Sequence, residues 1–184
     1  LGYTGLLTDA RGQFLANTAA PNFARALPPA VLDCFREQRG AEACLRELFT
    51  SLFKSLEAEL KTAGFLGPVG VDAFVYRDAA GRCRLKPVVE INPRYTMGRL
   101  TLELMQRVAP GAGGEFRLVN AAAVRAAGFT DFPAYASHLC SRFPLQPEGE
   151  PVPRIRSGAV CLNDPAAAQA VLATFVVGDD VRRL

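Results

Sequence analysis

The side chains of this sequence that are best suited to chemistry lie together in residues 86–94. Alternate residues of an extended strand share a face, which places Glu90, Asn92 and Arg94 on one side at steps of about 6–7 Å, with Lys86 further back on that side. The carboxylate and the carboxamide offer oxygen ligands that suit a hard cation such as Mg²⁺, and the guanidinium offers a fork that fits phosphate. The alternative is that this polar face meets water, as one face of an antiparallel sheet often does.

A second carboxylate lies on the strand that precedes this run. Residues 69–76 alternate with a period of two, residues 78–81 predict a turn, and residues 84–91 predict the returning strand. If the turn is a three-residue loop with Gly81 in the left-handed conformation, Asp72 lies opposite Val88 and diagonal to Glu90 on one face. Two carboxylates that close repel each other unless a cation lies between them, so Asp72 becomes a third candidate metal ligand in that register.

The elements around this hairpin predict a mixed fold. The period-two segments and turn signals predict further strands at residues 2–7, 13–16, 158–162 and 173–177. Helical periodicity and cap signals predict helices near residue 28 and over residues 45–60, 97–108, 121–127 and 132–143, with a short one beginning at residue 164. Residues 110–114 and 144–154 predict a loop and a linker.

Composition excludes several classes of function. The chain has 184 residues, of which 49% are hydrophobic and 21% charged, and its longest uncharged stretch is shorter than the roughly 20 residues that a membrane span needs. The net charge of +3 is small and its basic residues are scattered, so we expect no nucleic-acid partner. Five cysteines without a CxxC pair do not indicate zinc. We expect them to be reduced thiols, and therefore expect a cytoplasmic protein.

The sequence Glu90-Ile91-Asn92-Pro93-Arg94 closes a strand, follows a strand bearing Val-Asp and precedes a glycine-containing loop and a helix. In these features the chain resembles the ATP-grasp superfamily. The resemblance implies that Glu90, Asn92 and Asp72 hold one or two Mg²⁺ ions, or Mn²⁺, against the phosphates of ATP. It implies that Arg94 stabilises the acyl phosphate and the departing phosphoryl group, with Lys86 as a further phosphate contact.

The segment after this motif is where such enzymes often meet their second substrate. Gly98 would allow close backbone approach and Arg99 could bind a carboxylate, with Thr96 beside them. The alternative is that Thr96 caps a helix and Arg99 is solvated.

The resemblance also implies a fold class and a domain division. The fold class is α+β: an antiparallel sheet with packed helices, similar to the second lobe of an ATP-grasp domain, plus a small C-terminal α/β extension. Residues 1–110 would form that lobe and residues 111–184 the extension. The family's glycine-rich loop and phosphate-gripping lysines are not found in this sequence, so we expect an N-terminal lobe of the same protein to be missing and the chain alone to be inactive.

These features lead to one leading functional hypothesis. The chain would belong to an ATP- and Mg²⁺-dependent ligase that joins a small-molecule carboxylate to an amine, thiol or similar nucleophile through an acyl phosphate. The alternatives are a non-catalytic accessory or binding domain of the same fold and an ATP-dependent kinase. The sequence does not identify the substrates.

Overall fold

The computed structural model describes residues 2–22, 33 and 41–179. They belong to two compact units, the first comprising Leu27–Leu100 and the second Gly2–Ala26 with Thr101–Leu184. This grouping joins the opening hairpin to the last third of the chain, whereas the sequence groups it with the Asp72 hairpin. The predicted division into a lobe of residues 1–110 and an extension of residues 111–184 stays a prediction. The helix predicted near residue 28 lies outside the described residues.

The described secondary structure mixes antiparallel strands with a few helices, which confirms the α+β class. In chain order the strands are β1 Gly5–Thr8, β2 Phe14–Ala19, β3 Gly70–Arg77, β4 Cys83–Asn92, β5 Gly113–Asn120, β6 Gln146–Glu148, β7 Arg154–Cys161 and β8 Val171–Gly178. The α-helices are α1 Ala41–Thr62, α2 Met97–Leu104, α3 Ala121–Ala126 and α4 Phe132–Arg142, and a short 3₁₀ helix, Met105–Arg107, follows α2.

The second unit is built on one six-stranded sheet with the order β1-β2-β5-β8-β7-β6. Every neighbouring pair in it is antiparallel. Its core includes Val119 of β5 and Leu172 of β8, which pack with Val124 of α3 and with Phe132 and Ala136 of α4. The two helices therefore cover one face of the sheet.

Caps fix where these two helices begin. The side chain of Asn120 accepts a hydrogen bond from the N–H of Ala123 (2.8 Å), and that of Asp131 accepts one from the N–H of Ala134 (2.8 Å). Each satisfies a donor that the first helical turn leaves without an intrahelical partner. The helices predicted over residues 121–127 and 132–143 are confirmed.

Strand β5 corrects the predicted loop at residues 110–114, since two of those residues begin the strand. Glycine is rare in strands, so the pair Gly113-Gly114 favours a loop. Here, however, a Cβ on Gly114 would lie 2.4 Å from the ring of Phe175, on the neighbouring strand β8. The glycine is therefore needed where an aromatic ring crosses the backbone.

The short helix predicted to begin at residue 164 is wrong. Residues 165–167 form a turn instead, and β7 pairs directly with β8 as an antiparallel neighbour in the large sheet. Asn163 stabilises the connection, because its side chain donates to the carbonyl of Val171 (3.1 Å) and accepts from the N–H of Ala173 (2.8 Å). The side chain of Asp164 accepts from the N–H of Ala166, which closes a local turn.

The first unit contains α1, the hairpin β3–β4 and the start of α2. The predicted apolar stripe of α1 is confirmed at Leu45 and Phe49, which are buried. The helix ends at Thr62, and Gly64 just beyond it has φ +76°. There the N–H of Phe65 donates to the carbonyl of Leu60 and that of Gly64 to Lys61, the bond pair of a Schellman motif.

The cysteines differ in state. Cys140 and Cys161 are free, as predicted, but Cys83 is disulfide-bonded. The expectation that all five cysteines are reduced is wrong at Cys83, because pairing depends on proximity in space and not on spacing along the chain. A cytoplasmic location therefore loses the support of thiol chemistry. No helix in the described part of the chain is long and apolar enough to cross a membrane.

Candidate functional site

The turn of the β3–β4 hairpin is held by one carboxylate. The side chain of Asp78 accepts hydrogen bonds from the N–H groups of Ala80 (2.9 Å) and Arg82 (3.0 Å), and Gly81 has φ +75°. The left-handed glycine closes the loop at the predicted length. Beside the turn, Phe74 faces Lys86, so the predicted register is confirmed there.

A bulge changes the register before the strands reach the candidate site. Between the paired positions Phe74–Lys86 and Asp72–Glu90, β3 has one residue and β4 has three. Pro87 is one of those three, and it has no N–H to donate to the strand ladder, which accounts for the interruption. Because two extra residues preserve the alternation of faces, Asp72 lies directly opposite Glu90 and not opposite Val88 as predicted.

Past the bulge, a chain of hydrogen bonds links three of the predicted site residues. Asn92, only 7% exposed, donates from Nδ2 to Oδ2 of Asp72 at 3.5 Å. Its Oδ1 accepts from Nη2 of Arg94 at 3.1 Å. The backbone N–H of Arg94 also donates to the carbonyl of Asn92 at 2.9 Å, forming a tight turn centred on Pro93, whose fixed φ suits it. The turn carries the guanidinium back to the carboxamide.

The electrostatics of the hairpin centre on Asp72. Its pKa is raised, first by partial burial and then by the negative charge of Glu90, while the positive charge of Arg94 opposes the rise. Directly opposed residues in an antiparallel pair have Cβ atoms about 4.5–5.5 Å apart, and like charges there are destabilising. The pair of carboxylates is therefore a place where a cation would lower the energy.

Gly70 and Thr96 pack closely together at the strand position opposite Asn92. Gly70 pairs with Asn92 across the hairpin, and a Cβ on Gly70 would lie 2.9 Å from Cγ2 of Thr96. Oγ1 of Thr96 accepts from the N–H of Arg99 at 3.2 Å and so caps α2. The alternative reading of Thr96 as a helix cap is confirmed. Gly70 was missed, although a glycine inside a strand pattern signals close approach.

The other predicted site residues lie apart from this chain of hydrogen bonds. Lys86 is exposed on the turn side of the bulge. Within residues 41–179 it forms no hydrogen bond or ion pair with Asp72, Glu90, Asn92 or Arg94. Gly98 and Arg99 lie in the first turn of α2, the former half-buried and the latter exposed. Their proposed contacts with substrate stay predictions.

The donor set is of one chemical kind. Among the described residues, no group of three or more His, Cys, Asp or Glu side chains could hold a metal ion. The candidate site instead combines the two carboxylates of Asp72 and Glu90 with the carboxamide of Asn92. Oxygen ligands of this kind suit Mg²⁺, which binds through one or two carboxylates and completes its shell with water and phosphate.

Comparisons of the chain with models of protein families, with curated proteins and with solved structures gave no match. Any functional assignment therefore depends on the chemistry of the hairpin itself.

Proposed function

We propose that this chain is part of an ATP- and Mg²⁺-dependent carboxylate ligase. In such an enzyme the γ-phosphoryl group of ATP passes to a carboxylate oxygen, giving ADP and an acyl phosphate. An amine, thiol or similar nucleophile then attacks the carbonyl carbon and phosphate leaves. The observation that carries the proposal is the direct opposition of Asp72 and Glu90, with Asn92 hydrogen-bonded to Asp72 and Arg94 hydrogen-bonded to Asn92.

Mg²⁺ fits this group in charge and in ligand type. Two carboxylates supply two negative charges. The cation would remove the repulsion from Glu90, which adds to partial burial in raising the pKa of Asp72. The carboxamide oxygen of Asn92 has two lone pairs, of which the bond from Arg94 uses one. Asn92 can therefore accept the hydrogen bond from Arg94 with one lone pair and ligate a cation with the other. When bound, the ion would neutralise charge on the ATP phosphates.

Arg94 suits the phosphoryl group in flight. A guanidinium has five N–H donors, and the bond to Asn92 uses one of them. The remaining donors can meet the equatorial oxygens of the transferring phosphoryl group, where negative charge is spread in the transition state. Asn92 would ligate the cation and also holds the guanidinium of Arg94. The cation and the guanidinium would therefore keep a fixed distance from each other.

The substrate dependence of ADP release tests the proposal. We expect the complete gene product containing this chain to release ADP from MgATP only when a carboxylate and a nucleophile are both supplied. ADP release that needs only a hydroxyl acceptor would indicate a kinase instead of a ligase. If the complete gene product neither binds nor consumes ATP, the chain is an accessory domain. A cytoplasmic location belongs to this proposal, since such a ligase draws on cytoplasmic ATP.

A further inference from the structure

Two free cysteines meet where the end of α4 packs on β7. Sγ of Cys140 lies 3.8 Å from the carbonyl oxygen of Ala159 and is hydrogen-bonded to it. Ala159 and Cys161 are two residues apart in a regularly paired part of β7, so their side chains project from the same face. The sulfur of Cys140 therefore lies beside β7, two residues along the strand from Cys161.

The packing of α4 supports the same placement. Ala136 of α4 is in the buried core cluster, and Cys161 packs against that cluster from β7. Cys140 comes four residues after Ala136, so both lie on the helix face that meets the sheet. Just beyond the helix, the N–H of Ala159 donates to the carbonyl of Phe143 at 2.8 Å, which ties the end of α4 to the strand.

The two thiols interact and are not equivalent. Burial raises the pKa of the Cys161 thiol, and the charge of Cys140 and a side-chain hydrogen bond with it raise that pKa further. Cys161 is only partly accessible, whereas Cys140 is exposed. A reagent in solution therefore reacts with Cys140 first. Cys161 is close enough to react with the modified Cys140.

We propose that Cys140 and Cys161 are an oxidation site of the second unit, which a small-molecule disulfide such as glutathione disulfide converts into a reversible intramolecular disulfide. The Cys140 thiolate attacks one glutathione sulfur, the glutathione S–S bond breaks, and one glutathione leaves. Cys161 loses its proton to solvent and attacks Sγ of Cys140, which releases the second glutathione. Two protein thiols are oxidised, one glutathione disulfide is reduced, and the two protons end on two glutathione thiols.

The site borders a buried polar group on the same face of the sheet. Cys161 lies opposite Thr174, and Thr174 lies opposite Arg117. Nε of Arg117 donates to Oε1 of Glu115 at 2.8 Å. Oxidation would fix the end of α4 to β7 beside this ion pair. The proposal does not depend on the ligase function, because every residue that it uses belongs to the second unit.

Differential alkylation of the full chain tests the site. The protein is incubated with glutathione disulfide, quenched with N-ethylmaleimide and digested. We expect a linked peptide pair joining Cys140 to Cys161, lighter than the two reduced peptides by two hydrogens, and we expect excess reduced glutathione to reverse it. Both cysteines remaining fully alkylatable, or Cys140 linking to a different cysteine, would overturn the proposal.

Single variants separate the two steps. Cys161→Ser, with Cys161→Ala as a second variant should the first fail to fold by circular dichroism, is expected to stop at a glutathione adduct on Cys140. Cys140→Ser is expected to react at least about tenfold more slowly at Cys161, because that thiol is partly buried. Equal rates at the two positions would contradict the assignment of Cys140 as the attacking thiol.

Discussion

Two hairpins of this protein have turns of the same sequence pattern and geometry, but their strands carry different side chains. The turn Asp9-Ala10-Arg11-Gly12-Gln13 precedes β2, and Asp78-Ala79-Ala80-Gly81-Arg82 precedes β4. In the first, the Asp9 carboxylate accepts from the N–H groups two and four residues ahead, both at 2.8 Å, and Gly12 has φ +78°. In the second, Asp78 makes the same two bonds and Gly81 has φ +75°. One short sequence pattern therefore builds both turns.

The strands lead to different structures. The β1–β2 hairpin joins the six-stranded sheet, and its polar residues Asn17 and Thr18 are buried at 4% and 6% exposure. The β3–β4 hairpin is a two-stranded sheet among the described residues, interrupted by the bulge at Pro87. Only the second hairpin opposes two carboxylates. The turn thus determines that a hairpin forms, while the strand residues and the bulge determine whether it can bind a cation.

Removing the charge of Glu90 is expected to have the largest effect. Glu90→Gln keeps the size of the side chain and removes one metal ligand and the repulsion on Asp72. In the complete gene product we expect ADP release to fall by about a hundredfold or more, equivalent to roughly 3 kcal/mol of transition-state stabilisation. Steady-state ADP release at saturating Mg²⁺ measures it.

Glu59→Gln is the matched control for that change. Glu59 is exposed on α1 and loses the same charge by the same substitution. We expect its activity to stay within about twofold of the wild type, since exposed surface charges of this kind contribute little. Full Mg²⁺-dependent activity in Glu90→Gln would remove the metal assignment and, with it, the functional difference between the two hairpins.

Gly70→Ala tests the close packing of Thr96 against the residue opposite Asn92. The new Cβ would lie 2.9 Å from Cγ2 of Thr96, and Thr96 is held in place by its bond to the N–H of Arg99. We expect the clash to displace the cap and lower the free energy of unfolding by about 1–2 kcal/mol, the usual cost of losing an N-cap. Urea denaturation followed by circular dichroism measures the loss.

The double variant Gly70→Ala/Thr96→Ser separates the clash from other effects of alanine. Serine lacks the methyl group that meets the new Cβ and keeps the hydroxyl that caps α2. We expect it to restore most of the lost stability. If Thr96→Ser instead adds its own loss to that of Gly70→Ala, the close approach is not the reason for the glycine.

Asp78→Asn tests the part that the two hairpins share. The pKa of Asp78 is lowered, first by the backbone hydrogen bond from Arg82 and then by the side-chain bond from Arg84. A lowered folded pKa means that the carboxylate contributes stability above its unfolded pKa of about 3.9, and that this contribution is lost as pH falls through the lower folded value. We expect Asp78→Asn to lower Tm by roughly 2–4 °C at pH 7.

The pH dependence gives that prediction its control. As pH falls below the unfolded pKa of about 3.9 and through the lowered folded pKa, the stabilising contribution of the Asp78 carboxylate is lost, so we expect the Tm difference between wild type and Asp78→Asn to shrink there. A constant difference between pH 3 and pH 7 would mean that the charge of Asp78 has no part in holding the turn.

The sequence predicts these hairpins unevenly, for physical reasons. Asp and Gly at fixed offsets are local signals, and a turn needs nothing beyond them, so the turn and its nearby register were correct. The bulge at Pro87 depends on how two strands share hydrogen bonds. The alternation of polar and apolar residues in β4 is the same with or without the bulge, so it does not predict it. The disulfide at Cys83 and the tight contact of Gly114 with Phe175 are long-range facts that spacing along the chain does not encode.

The candidate site follows the same division. Side-chain type alone led to the choice of Asp72, Glu90, Asn92 and Arg94 as candidates, because carboxylate and carboxamide oxygens suit a hard cation and a guanidinium suits phosphate. Their hydrogen bonds and the direct opposition of the two carboxylates required the structure. Gly70 was missed because its role is to leave space, and an absent side chain gives a weak signal in a sequence.

Asp72→Asn gives the smallest effect and the opposite sign from Asp78. The pKa of Asp72 is raised by partial burial and by Glu90. A carboxylate whose folded pKa exceeds its unfolded value costs stability as pH rises through that window, and the cost persists at pH 7. Without metal we therefore expect Asp72→Asn to be slightly more stable than wild type at pH 7, by about 0.5 kcal/mol or less because the group remains largely exposed and screened.

The gain in stability should vanish below about pH 4. Mn²⁺ is expected to raise the Tm of the wild type and should no longer raise that of the variant. Loss of stability at pH 7 without metal would show that Asp72 is stabilised by Asn92 and Arg94 more than it is opposed by Glu90, and would remove the electrostatic argument for a cation between the two strands.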